Sequence, residues 1–303
     1  MIRKLLRGTA IAIGALLALV IVALGVVYVV SQRRIDEKLQ VAGHAVVVPS
    51  DSAGLARGRH VAMALGKCGD CHGGDFGGRT FIDVAPVAVL HAANLTSGEG
   101  GIAKGMTDLD WERAIRHGVS RDGRKLLFMP ADEFQYFNDD DLGALIAYLK
   151  TLPPVNHVQA KNSVGPVGRV LMLKGDLSLL TADLIKHDAP PPAVIAPAAT
   201  LEYGTYIARA GGCKGCHGAT LSGGPIPGAP PDFKPPANLT PKGIGHYTEA
   251  DFFAALREGK RPGGTMLDTV YMPVRYTKLM TDDEIRAVFM FLKTVPAKEY
   301  GGR

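Results

Sequence analysis

The sequence predicts a mainly α-helical chain in which one N-terminal membrane-spanning helix precedes two tandem copies of a small helical domain. Three observations carry that expectation. An uncharged apolar run fills residues 9–30, a Cys-x-x-Cys-His unit occurs twice, and the residues after each unit repeat at matched spacing.

The apolar run, "TAIAIGALLALVIVALGVVYVV", contains neither charge nor proline. As a helix it would rise roughly 30 Å, the thickness of a bilayer's hydrocarbon core. A cleavable secretory signal has a shorter apolar region and a small-x-small cleavage site. Here the run passes directly into Tyr28-Val29-Val30-Ser31-Gln32-Arg33-Arg34, so residues 1–40 read as an uncleaved anchor with a short stalk. Arg3, Lys4 and Arg7 before the span balance Arg33, Arg34 and Lys38 after it, which gives little guidance on orientation. A formal net charge of +5 over 303 residues, without a basic stripe interleaved with aromatics, excludes a nucleic-acid partner.

The rest of the chain is a duplication. The first copy reads "GRHVAMALGKCGDCHGGDFGG", "ANLTSGEGGI", "TDLDWERAIRHG", "FMPA" and "NDDDLGALIAYLKTLPPV". The second reads "GTYIARAGGCKGCHGATLSGG", "ANLTPKGIG", "TEADFFAALREG", "YMPV" and "TDDEIRAVFMFLKTVPA". From His72 to Asn94 is 22 positions and from His217 to Asn238 is 21; Asn94 to Met129 is 35 and Asn238 to Met272 is 34. Agreement of this kind marks a repeated structural unit. The domains are expected at 41–154 and 201–303, joined by a Pro-rich linker at 155–200.

Within each copy three helices are expected. The first, Gly58 to Lys67 or Gly204 to Gly211, carries small and apolar residues at helical spacing. The middle helices begin at Thr107 and Thr248, whose hydroxyls suit a helix start, and stop near Gly118 and Gly259. The last begin at Asn138 and Thr281, with acidic first turns that suit the helix dipole, and end before Pro153 and Pro296. The linker ends in "APPPAVIAPAAT", an extended spacer by composition. Val167 to Ile185 is apolar enough to need a partner surface, either the two domains or the membrane.

Cys68, Cys71, Cys213 and Cys216 account for every cysteine, and His72 and His217 follow directly. A Cys-x-x-Cys pair alone could be a redox disulfide, but that motif belongs with a βαβ pattern, which is lacking here. One zinc shared by both pairs would have to bridge two copies that each have a full set of partner residues. Cys-x-x-Cys-His is the attachment signal for c-type haem, which implies two covalently bound haems with His72 and His217 as proximal iron ligands. A second axial ligand would close each iron. Met129 and Met272 recur at one repeat position, in Phe128-Met129-Pro130 and Tyr271-Met272-Pro273, whereas Met106 and Met266 do not. Proline after methionine restricts the backbone to an extended shape suited to presenting a thioether.

With these motifs the chain resembles the class I cytochrome c fold twice over, across roughly Gly54 to Pro154 and Leu201 to Pro296. More narrowly, "ANLTP", "YTEADFFAALREG", "YMPV" and "LKTVP" look like the cytochrome c subunits of bacterial membrane-bound alcohol and sugar-acid dehydrogenases. Those relatives commonly carry three haems, and this chain departs from them with two motifs. The resemblance implies that first and last helices cross near Gly58 with Tyr148 and near Gly204 with Phe291. It implies that Asn94 and Asn238 hydrogen-bond in the loop bordering the haem, and that Trp111 and Phe252 pack against haem or core. Arg116 and Arg257 pair with a propionate or lie on a solvated helix face. His117 is expected at the surface, and His60, His91 and His246 carry no pattern.

Haem of this type is attached outside the cytoplasm, which implies a bacterial inner membrane protein with its haem domains on the periplasmic side. The expected activity is single-electron relay between redox protein partners such as a dehydrogenase, a respiratory complex or a terminal oxidase. The expected protein is not itself an enzyme. Two alternatives stand beside it: a fixed electron-transfer subunit of a membrane-bound dehydrogenase, and a dihaem peroxidase, which two methionine ligands argue against.

Overall fold

A computed structural model of the chain describes residues 2–227, 229 and 232–303. Helix makes up 47% and strand 6%, so the chain is mainly α as expected. The first helix, α1 (Ile2–Asp36), contains the whole apolar run and continues beyond it. It is long and apolar enough to cross a membrane, and none of its most apolar window is buried by the rest of the chain.

After α1 the first copy is built from α2 (Ser52–His60), which widens into a π-helical turn at Val61–Leu65, and the short α3 (Cys68–His72). Strands β1 (Thr80–Val84) and β2 (Ala88–His91) form an antiparallel hairpin. Then come α4 (Asp108–His117), α5 (Ala131–Phe134) and α6 (Asp139–Lys150). A connecting region holds β3 (Ser163–Val164) and α7 (Pro166–Lys174). The second copy repeats the helices as α8 (Leu201–Ala210) and α9 (Cys213–His217), adds a short α10 (Pro241–Ile244), and continues with α11 (Glu249–Glu258), α12 (Val274–Thr277) and α13 (Asp282–Thr294).

The helix starts follow from their caps. Thr107 and Thr248 each accept from the N3 amide, and Asp110 and Asp251 return the bond to the cap backbone. Thr281 caps α13 in the same way through Glu284, and Asn138 caps α6 by accepting from the Asp141 amide. Each such cap stabilises its helix by about 1 kcal/mol. Gly118 and Gly259 end α4 and α11 at φ of 65° and 73°, a left-handed conformation that costs glycine no Cβ clash.

Packing within each copy turns on one glycine. A Cβ on Gly58 would lie 1.9 Å from the Ala144 carbonyl oxygen, and one on Gly204 would lie 1.9 Å from that of Ala287. Helix pairs α2/α6 and α8/α13 therefore cross backbone to backbone. Tyr148 borders the first crossing, but at the second the nearest atoms belong to Ala287 and Val288 rather than Phe291. Trp111 and Phe252 are both buried, and Phe252 stacks on Phe289 with ring centroids 5.0 Å apart. One continuous apolar core runs from Val61 and Leu145 of the first copy to Tyr203 and Leu292 of the second.

Two stretches differ from the sequence expectation. Instead of a stalk, the end of α1 is docked: Arg169 of α7 donates to the Ser31 hydroxyl at 2.7 Å and to Gln32 at 2.8 Å, and stacks 4.2 Å over Tyr28. Arg34 pairs with Asp183 at 3.0 Å, and Lys125 bridges Glu37 and Asp183 at 2.6 Å each. Residues 155–185 are likewise no spacer. β3 adds to the hairpin, and Phe128 N–H donates to the Leu179 carbonyl at 2.8 Å, so the stretch folds back over the first copy. Burial explains both: Leu90, Met172, Leu179 and Leu180 form a small second core that Ile35 and Phe128 also join.

Candidate functional site

Each Cys-x-x-Cys-His unit forms a single helical turn entered through a left-handed residue. That residue is Lys67 at φ 50° before α3 and Gly212 at φ 73° before α9. The left-handed backbone costs a non-glycine residue about 1 kcal/mol. The Lys67 ammonium offsets that cost by donating to the carbonyls of Leu65 and Gly211.

The turns bury both histidines, and one bond orients each ring. His72 Nδ1 donates to the Ala93 carbonyl at 2.8 Å, and His217 Nδ1 donates to the Ala237 carbonyl at 2.7 Å. A carbonyl can only accept, so the proton sits on Nδ1, and Nε2 is the ring nitrogen free to bind a metal. Burial pushes both imidazoles below their ordinary pKa, which keeps them neutral as a ligand must be. None of the four cysteines pairs in a disulfide. Burial, reinforced by the neighbouring Cys71, pushes the Cys68 thiol up to about 12, and burial pushes Cys71 up to about 11. Cys213 and Cys216 are raised for the same first reason.

Asn94 and Asn238 follow directly after the accepting carbonyls, and both are buried. Asn94 donates to the Val155 carbonyl at 2.7 Å and accepts from Thr96 N–H at 2.9 Å. Asn238 donates to the Lys298 carbonyl at 2.8 Å and accepts from Thr240 N–H at 2.9 Å. Their amides are thus spent on main chain. They pin the loop that presents the carbonyl to the histidine, hydrogen-bonding within it as the resemblance implied.

Met129 and Met272 sit in matching turns. Ala131 N–H returns to the Met129 carbonyl and Val274 N–H to the Met272 carbonyl, each at 2.7 Å, across Pro130 and Pro273 at ψ of 54° and 60°. These are inverse γ-turns centred on the prolines. In the second copy Met272 lines a cavity of about 350 Å³ together with Cys213, Cys216 and His217. Leu239 and Phe252 are among its apolar walls, and Met266 reaches its rim but is 61% exposed. In the first copy Cys68 and Met129 pack against the shared core, and Thr181 donates its hydroxyl to the Met129 carbonyl.

Arg116 and Arg257 do other work. Arg116 is buried and donates to Glu112, Asp139 and the Phe137 carbonyl, so it lies on no solvated face. Arg257 donates to Asp282 and the Lys278 carbonyl. Both tie the middle helix to the start of the last. His117 is buried rather than at the surface, with its Nδ1 3.0 Å from that of His187. His60 is also engaged, 2.8 Å from Glu284.

The donor set fits a covalently attached haem. Two thiols and an imidazole share an apolar cavity with a thioether, and the imidazole's second nitrogen is fixed by backbone. Among the described residues no three His, Cys, Asp or Glu side chains converge as a bare ion requires. A donor set of this composition suits a c-type haem. Residues 201–296 match the family model described as Cytochrome c.

The chain is similar to the cytochrome c subunit of the quinone alcohol dehydrogenase of Gluconobacter oxydans, 26% identical over 86% of this chain and 58% of that one. It is similar to the gluconate 2-dehydrogenase cytochrome c subunit of Pantoea cypripedii, 28% identical over 82% of this chain and 61% of the relative. It is also similar to a dihaem c-type cytochrome of Cereibacter sphaeroides, 26% identical over 64% of this chain and 68% of that protein. The chain thus spans 58% and 61% of the length of the two dehydrogenase subunits.

Proposed function

We propose that the chain is a membrane-anchored dihaem cytochrome c that carries single electrons on the periplasmic side of a bacterial inner membrane. In this reading residues 41–154 and 201–303 are tandem class I cytochrome c domains. The observation that carries it is the paired geometry: the His72–Ala93 and His217–Ala237 bonds recur together with the γ-turns at Met129 and Met272.

Haem, when bound, supplies the one-electron couple. The chain supplies the rest. Cys68, Cys71, Cys213 and Cys216 would hold two such groups by thioether bonds, and His72 and His217 would bind from one face with Nε2. Met129 and Met272 would close the opposite face. Held by imidazole and thioether together, such a group would change little on gaining or losing an electron and would leave no position for peroxide. The apolar walls keep water out, and His/Met ligation favours a high reduction potential.

The similar dehydrogenase subunits support a place beside a dehydrogenase as electron-transfer subunit, with a respiratory complex or terminal oxidase as acceptor. Expression with c-type maturation, followed by mass and haem quantification, tests the reading. Two covalent haems per chain are expected; a chain that matures with one or none overturns it.

A further inference from the structure

The two copies meet through positions that are equivalent in the repeat but unlike in chemistry. Arg57 and Tyr203 each precede a crossing glycine, His60 and Tyr206 lie one turn later, and Asp141 and Glu284 are the N3 residues of α6 and α13. Arg57 grips Asp141 of its own copy at 2.6 and 2.8 Å, as Tyr203 bonds Glu284 of its own at 3.2 Å. The next pair crosses over. His60 reaches Glu284 at 2.8 Å and Tyr206 reaches Asp141 at 2.5 Å. The junction therefore has pseudo-twofold symmetry, with the Arg57–Tyr203 bond of 3.2 Å at its centre.

The same symmetry governs the sites. Glu133 lies four residues after Met129, and its carboxylate accepts from Gly215 N–H at 2.7 Å, the third residue of the opposite Cys-x-x-Cys-His turn. Tyr276 lies four residues after Met272, and its hydroxyl is 3.1 Å from where a Cβ on Gly69 would sit. Its neighbour Arg275 pairs with Asp70, the third residue of the first turn. Each methionine loop thus rests on the other copy's attachment turn. Ala64, Leu65 and Lys67 of the first copy also line the cavity of the second, so that site is completed by its partner.

We propose that Glu133 and Arg275 are positioning residues acting across this junction. Each holds the opposite attachment turn, so the two sites form one rigid unit for electron exchange between them. The exchange moves one electron from site to site, with no bond made and no proton transferred. This inference rests on the dihaem reading above.

The test uses the full-length, haem-loaded protein in mild detergent. Glu133→Ala, Asp70→Arg, Arg275→Asp and the swapped pair Asp70→Arg/Arg275→Asp are compared with wild type, with haem count measured first. Two readouts follow: amide hydrogen exchange of the 211–217 segment, and the rate of electron equilibration between the two haems after photoreduction. Loss of the carboxyl acceptor predicts exchange about tenfold faster in Glu133→Ala. Slower equilibration is expected in each single charge reversal, with recovery in the swapped pair. A protein that loads two haems but shows wild-type exchange and equilibration in every variant overturns this inference alone, as does a swap that fails to recover. A protein that loads only one haem overturns the dihaem reading as well.

Discussion

His217 Nδ1 lies 2.7 Å from the Ala237 carbonyl, and His72 has the same relationship to Ala93 at 2.8 Å. This bond decides the tautomer of the ring and which nitrogen faces away from the main chain. It also gives the neighbouring asparagine its purpose, since Asn238 anchors the loop that carries the carbonyl to the Lys298 main chain.

Asn238→Ala leaves the Thr240 amide without its partner and the Lys298 carbonyl with the Thr240 hydroxyl alone. Stability is expected to fall by about 1–3 kcal/mol. Urea unfolding followed at the haem absorption measures it. The spectrum of the second haem should broaden while haem attachment persists; an unchanged midpoint would show that the loop holds without the side chain.

Met272→Ala removes the thioether from the second cavity and leaves both thiols and His217 in place. Both haems should remain covalently attached, while one loses its thioether-to-iron absorption, binds cyanide and drops in reduction potential. Potentiometric titration of each centre is the check. Two unshifted potentials would move the ligand to another residue, with Met266 next in line at the cavity rim.

Gly204→Ala places a methyl group 1.9 Å from the Ala287 carbonyl oxygen, where backbone rather than a side chain must give way. The cost is expected to reach about 3 kcal/mol or more. Yield of mature protein and its thermal midpoint should both fall. Gly8→Ala, with nothing within 4 Å of the added carbon, is the matched control and should be neutral.

Glu284 gives the junction a pH dependence. Burial alone would raise its pKa, but hydrogen bonding to His60 and charge from His60 and Arg57 hold it below the ordinary 4.5. A carboxylate depressed in the folded state stabilises above its unfolded pKa and loses that contribution as pH falls through the folded value. Wild type should therefore lose stability below about pH 4.5. Glu284→Gln should be less stable at neutral pH and show a flatter acid limb in pH-dependent denaturation.

Much of the site was legible because duplication makes spacing informative. Cys68, His72 and Met129 each have a counterpart at matched distance, and chemistry that appears twice is hard to mistake for core filler. The junction was not legible, for the opposite reason. His60 and Tyr206 occupy one repeat position and do one job, yet their difference in type conceals the match. His117 read as a surface residue because Glu258 is its counterpart, and only the return of residues 181–187 over α4 buries it against His187. Contacts that depend on how two faces dock leave no periodic trace in a chain.

The docking of α1 has a consequence for encounter. A cytochrome on a loose tether sweeps a volume and meets partners at many angles. Here Arg169 on Ser31, Gln32 and Tyr28, with Lys125 on Glu37, joins α1 to the first copy at several points. With α1 in a bilayer, as proposed above, the first copy keeps one height and one heading. A donor arriving in the plane of the membrane then meets the same face on every visit, and the search for a productive collision loses most of its rotational freedom.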